Sequence, residues 1–140
     1  DLKHFFIIIF IIFCISHPTA QANPKSTFFY EKDYQNAWCS THHGQQEVVL
    51  SDKARIDCLT QTHAIEFDFA KKWAESIGQA LYYAQATHKK AGIVLIVENA
   101  TKDQKYLDRV KAVAALYNIT LWTISPQDDE IFAKQITTNK

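Results

Sequence analysis

Residues 92–97 (GIVLIV) form an uninterrupted apolar run, and this run constrains the fold more than any other feature of the chain. A strand with no polar position has no face to give to water, so both of its faces must be covered. The segments on either side of it in sequence are patterned as helices. Residues 71–87 have helical periodicity, with Trp73, Ile77, Leu81 and Ala84 on one stripe. Residues 101–117 repeat the pattern with Tyr106, Val110, Val113 and Leu116 or Tyr117. Residues 119–124 (ITLWTI) read as a second β-rich strand ending before Pro126. Strands alternating with helices of this length imply an α/β layer structure.

Upstream, the aromatic-rich stretch 28–38 predicts a first helix ending near His42-His43-Gly44, and residues 47–50, 54–59 and 63–69 predict three strands. The element order is α-β-β-β-α-β-α-β, without internal repeats. Residues 1–22 are expected to stand outside this domain. Lys3 and His4 precede an 11-residue apolar run, 5–15, which is followed by polar residues and Ala20-Gln21-Ala22. That is the layout of a cleavable secretory signal peptide, and the run is short of the ~20 residues that span a bilayer. The chain begins at Asp1 rather than Met, so further residues are expected before it. Cleavage leaves one domain, 23–140, exported to a periplasmic or extracellular space, with no stable membrane insertion.

Fifteen basic residues balance fifteen acidic ones, which excludes the bulk cationic field of many nucleic-acid binders. Contact with an anionic polymer must then come from a local site. Two cysteines remain after the leader, Cys39 and Cys58. In an oxidising compartment they can pair, or they can stay as two buried thiols; the sequence leaves both open.

The chemistry is expected on the second and third strands. In 54–59 the pleat sets Ile56 and Cys58 on one face, with Arg55 and Asp57 on the other; in 63–69 it sets Ile65, Phe67 and Phe69 against Glu66 and Asp68. If the two strands form a hairpin, only odd–even registers bring the apolar faces together, because a one-residue slip turns one of them inside out. The simplest register puts Asp57 opposite Glu66 and Arg55 opposite Asp68. Facing carboxylates repel. A hard divalent ion between them removes the repulsion; full hydration with help from Arg55 is the plain alternative. On the following helix, Lys72, Ser76, Gln79 and Tyr83 form a polar stripe able to face Glu66, with Lys71 competing for the role of Lys72.

These residues resemble the PD-(D/E)XK nuclease superfamily, the restriction-endonuclease-like fold. The match is Arg55-Ile-Asp57, an eight-residue spacer, Glu66-Phe67-Asp68, and a helix carrying Gln79-Ala-Leu-Tyr-Tyr83, similar to the QxxxY motif of the RecB-like and phage-exonuclease-like branches. It spans about residues 38–124. The resemblance implies an αβββαβ core whose mixed sheet is flanked by helices. It also implies a magnesium- or manganese-dependent hydrolase acting on nucleic acid, DNA ahead of RNA. Asp57, Glu66 and the main-chain carbonyl of Phe67 would ligate the ion, Lys72 would assist the attacking water, and Gln79 and Tyr83 would position the metal shell or a phosphate. Glu47 is a further candidate ligand. The family's third motif usually has lysine where this chain has Asp68. Three readings stay open: Lys72 replaces that lysine in function, Asp68 is itself a ligand, or catalysis is lost and a nuclease-fold binding module remains.

Other constellations point less far. Cys39, His42, His43 and Cys58 suggest a zinc site, but without a second paired ligand motif. His63 and His88 have no Ser or Cys partner implied by spacing, so nucleophilic hydrolysis has no support. No glycine-rich phosphate loop is present. Asn99-Ala-Thr101 and Asn118-Ile-Thr120 fit the glycosylation triplet.

Overall fold

The hydrogen-bonded ladders of a six-stranded mixed sheet organise the molecule. The structure is a computed structural model, and it describes residues 30–126 and the strand at 134–136. The expected leader, 1–22, lies outside the described residues. In chain order the elements are α1 (Glu31–Thr41), β1 (Gln45–Val49), β2 (Arg55–Leu59), β3 (His63–Phe69), one 3₁₀ turn (Ala70–Lys72), α2 (Trp73–Thr87), β4 (Lys90–Ile96), α3 (Ala100–Tyr117), β5 (Thr120–Ile124) and β6 (Lys134–Ile136). The sheet order is β1-β2-β3-β4-β5-β6. β1, β2 and β3 form an antiparallel meander; α2 and α3 carry the chain between the parallel pairs β3–β4 and β4–β5, and β6 closes antiparallel on β5. This is one α/β domain, with a mixed sheet between helices. Among the described residues no helix is long and apolar enough to cross a membrane.

The apolar run behaves as its composition requires. Val94 and Ile96 pack with Tyr34, Trp38 and Cys39 of α1, whereas Ile93 and Leu95 pack with Ala80 of α2 and with Val110 and Ala114 of α3. Local chemistry sets the helix ends. The Asp33 carboxylate accepts from the Tyr30 backbone N–H at the start of α1, and acidic groups there suit the helix dipole. Asn99 Oδ1 accepts from the Lys102 N–H, and Asp103 accepts from the Asn99 N–H, a reciprocal cap for α3. Asn118 closes that helix in the left-handed region, φ 55°. Both asparagines of the two glycosylation triplets thus serve as helix caps.

Cys39 of α1 and Cys58 of β2 form a disulfide across 19 positions of sequence. This settles the pairing that the sequence left open and removes both thiols as zinc ligands. His42, the third member of that expected zinc group, instead stacks on Trp38 with ring centroids 3.6 Å apart. In the chain-entropy view such a cross-link contributes on the order of 3 kcal/mol. Gly44 admits it: a Cβ there would stand 2.6 Å from Cys39 Sγ and closer still to Cys58 Sγ.

The glycines therefore give opposed expectations. Gly44→Ala should lower stability by about 1–3 kcal/mol through overpacking against the sulfurs. Gly78, in the middle of α2, would place a Cβ in open space, so Gly78→Ala should raise stability by about 0.5–1 kcal/mol. Urea unfolding of the oxidised proteins measures both.

Candidate functional site

The β2–β3 ladder pairs only Cys58 with Ile65 and Leu59 with Ala64. Continued one step, that register sets Asp57 opposite Glu66, the arrangement expected from the sequence. The ladder breaks at that step. The first half of β2 stays with β1, through Val48–Ile56 and Val49–Arg55, while Glu47 opposite Asp57 is missing from the paired positions and has φ 56°. A left-handed glutamate in mid-strand is strained backbone. The facing also changes here. Cys58 packs with Ile65 and Phe67, but Ile56 packs with Ala64 and Tyr83. The expectation that Ile56 and Cys58 share one face is therefore corrected: the pleat does not run unbroken through Asp57.

Side chains satisfy the backbone groups at this break. Asp57 Oδ2 accepts the Phe67 N–H at 2.8 Å. Gln35 Nε2, from α1, donates to the Asp57 carbonyl and to Glu47 Oε1, each at 2.7 Å. Glu47 also pairs with Lys32 at 2.8 Å and Arg55 at 2.7 Å. The Lys32 and Gln35 contacts hold its carboxyl below the usual range, with help from the Arg55 charge. Both Glu47 oxygens are thus engaged, and Arg55 offsets Glu47 rather than Asp68, the residue expected opposite it.

On the α2 side of the sheet, Glu66 and Asp68 are level with Ile93 and Leu95 of β4. They are 5% and 2% exposed. Burial, then the charges of Asp57 and Asp68, push the Glu66 carboxyl up to about 10. Burial and the Glu31 charge push Asp68 up to about 7, against the opposing pull of Lys72. Asp57 is raised mainly by burial, and protonated Glu66 donates a hydrogen bond to it. Glu31 is raised by burial and then by Asp57, and it shares a hydrogen bond with Asp68.

Lys72 Nζ lies 3.5 Å from Asp68 Oδ1, whereas Lys71 sits over the Phe69 ring. Lys72 is therefore the lysine beside the acids, held by the 3₁₀ turn rather than by α2 itself. Gln79 Nε2 donates to the Tyr83 hydroxyl at 3.2 Å, and the charges of Glu66 and Asp57 contribute to raising Tyr83. Ser76 faces inward, bonded to the Trp73 carbonyl.

The structure thus gathers Asp57, Glu66, Asp68, Lys72 and Tyr83, and it adds two residues that the sequence reading did not single out, Glu31 and Gln35. They lie at i and i+4 on α1, next to the apolar positions Tyr34 and Trp38; a buried-side polar pair on an aromatic helix was the available signal. A cleft of about 590 Å³ opens over Glu31, Gln35, Glu47, Arg55, Asp57 and Phe69.

Among the described residues no group of three or more His, Cys, Asp or Glu side chains is placed so that it could hold a metal ion. The chemistry of the acids is nevertheless the kind that a hard divalent cation takes. All their donor atoms are oxygens, and Glu66 Oε2 is buried with no hydrogen-bond partner, whereas Asp68 Oδ1 faces the Lys72 ammonium at 3.5 Å. As the side chains stand, a hydrogen bond joins Glu66 to Asp57. No protein-family model, curated protein or solved structure matches the chain.

The raised carboxyls fix a pH dependence. A carboxyl whose folded value is raised stabilises fully below its unfolded value and loses that contribution as pH rises through the folded one. For Asp68 the window runs from 3.8 to about 7, and for Glu66 from 4.5 to about 10. Glu47 works in the opposite sense, below 4.5. Metal-free protein should therefore have a lower urea midpoint at pH 8 than at pH 5. Glu66→Gln, which keeps a donor toward Asp57, should flatten much of that slope.

Proposed function

We propose that this chain is an exported, divalent-cation-dependent nuclease built on a restriction-endonuclease-like core. The observation that carries this reading is the Glu66 carboxyl: almost fully buried, with one oxygen unpartnered, between Asp57 and Asp68. Buried acids without cations are costly. A site built for charge compensation explains why three are kept together. The antiparallel meander β1-β2-β3, the α2 crossover to parallel β4 and the Gln79–Tyr83 contact support the same reading.

Asp57, Glu66 and the Phe67 carbonyl would hold Mg²⁺ or Mn²⁺, with Asp68 and Glu31 beside them. Such an ion supplies positive charge at a phosphodiester oxygen and a lowered pKa for bound water. The chain's own groups complete the site. Lys72 keeps its ammonium beside Asp68, the Asp68 charge raising its pKa, and so sets a fixed cation where the resemblance expects the family's lysine. Tyr83 borders the acids and, with Gln79 bonded to its hydroxyl, would orient a phosphate or a water. Lys32 and Arg55, with half or more of their side chains exposed at the cleft mouth, offer the local positive rim that a neutral chain needs for a polyanion. Export agrees with a disulfide, which persists in oxidising compartments.

The oxidised protein should cut plasmid, single-stranded DNA or RNA in Mg²⁺ or Mn²⁺, with no cutting in EDTA, and Glu66→Ala should reduce cleavage to background. Cutting that survives either treatment would trace to a contaminant. Inactivity on every substrate, with no divalent binding by calorimetry, would replace the nuclease by a binding module of the same fold. Asp68 at the usual lysine position and the zero net charge favour that second reading.

A further inference from the structure

Gln35 is buried, 2% exposed. Its one amide group bonds two strands at once: the Asp57 carbonyl on β2 and Glu47 Oε1 on β1. One helical turn further along α1, Cys39 is bonded to Cys58, the residue after Asp57. The strand that carries Asp57 is therefore tied to α1 twice in succession, by a hydrogen bond at 57 and a covalent bond at 58. These ties fall where the ladder to β3 ends. No regular backbone pairing at Asp57 is left to do their work.

We infer that Gln35 is the positioning residue of the acidic site, and that the Cys39–Cys58 disulfide makes its placement conditional on oxidation. The inference rests on the divalent-cation reading above and adds its regulation. With both thiols reduced, only the Gln35 hydrogen bond fixes Asp57 to α1, the carboxylates are no longer held together, and the site is latent. Oxidation assembles it. One cysteine thiolate attacks a small-molecule disulfide and forms a mixed disulfide with release of one thiol. The second cysteine thiolate then displaces the other half. The protein gives up two protons and two electrons, and the donor disulfide leaves as two thiols. A chain made in a reducing compartment thus acquires its site only after leaving it.

The test compares three forms of the full chain: oxidised, reduced by a phosphine, and Gln35→Met with its disulfide intact. Mn²⁺ affinity is read by calorimetry, and hydrogen exchange is read at the Phe67 amide, which Asp57 Oδ2 accepts. Reduction and Gln35→Met should each weaken Mn²⁺ binding roughly 10–100-fold, the usual effect of losing a group that orients a ligand. Each should also speed Phe67 exchange by at least about tenfold while Ile93, Val94 and Leu95 keep their protection.

Wild-type affinity and wild-type Phe67 protection in Gln35→Met would overturn the positioning role. Equal behaviour of reduced and oxidised protein would overturn the redox control. So would loss of β4 protection together with Phe67 on reduction, because the disulfide would then support the whole fold. If no form binds Mn²⁺ but Phe67 still responds to Gln35 and to the thiols, positioning stands and the divalent-cation reading falls.

Discussion

The hydrogen bond from the Phe67 N–H to Asp57 Oδ2 is the interaction on which the site depends. In an unbroken antiparallel pair that donor would meet a backbone carbonyl. Here it meets a carboxylate, so β2 and β3 part. The parted strands leave room in which side chains from both faces of the sheet can meet. Glu66 and Asp68 point toward α2, Glu31 arrives from α1 on the opposite side, and the gap lets the two sets interact. A sheet paired to its ends would keep them apart. Every orphaned backbone group costs free energy when buried, and that cost explains why Gln35 and Asp57 are committed to main-chain partners rather than left to solvent.

Much of this was legible in the sequence, where hydrophobic period and register carry the information. The run at 92–97 required cover on both faces; α2 and α3, the helices with apolar stripes, both cover one face, and α1 covers the other. The odd–even register argument is met at Cys58 and Ile65, which pair and share a core, but the Asp57–Glu66 pair it also expected lies past the end of the ladder. Other features were not legible for physical reasons. The break at Asp57 is a backbone event with no signature in a period of two, so the shift of Ile56 to the Tyr83 side was missed. Glu47 adopts φ 56° without being Gly or Asn; three polar partners, not its own propensity, hold it there. Gln35 and Glu31 act over separations of twelve residues or more, where spacing rules are silent. The cysteines were visible, but whether they met depended on how α1 lies on β2.

The electrostatics follow from the same break. Bringing four acids to a place of low water access forces protons onto some of them, and the burdens are unequal. Glu66 is raised most because burial adds to two neighbouring charges; Asp68 is raised less because Lys72 stands beside it. Glu47, a few ångströms of backbone away on β1, goes the other way because two cations and an amide hold its oxygens. The set of carboxyls therefore divides into one fully committed ion pair and one group that exchanges protons. A group that exchanges protons at a buried place can exchange them for a metal cation, whereas a committed pair cannot.

That division also bears on the zero net charge. Fields that attract a polyanion at physiological salt are effective over about 8 Å, the screening length. What matters is therefore the balance at the cleft and not the sum along the chain. At the cleft Lys32 and Arg55 converge on one carboxylate, Glu47, with half or more of each cation's side chain exposed. Lys72 offsets Asp68 from the far side. The neutral total thus conceals a local arrangement in which cations stand outward and acids stand inward. Under the proposed reading, an anionic backbone would meet the rim of such a site and a small cation the oxygens beneath it.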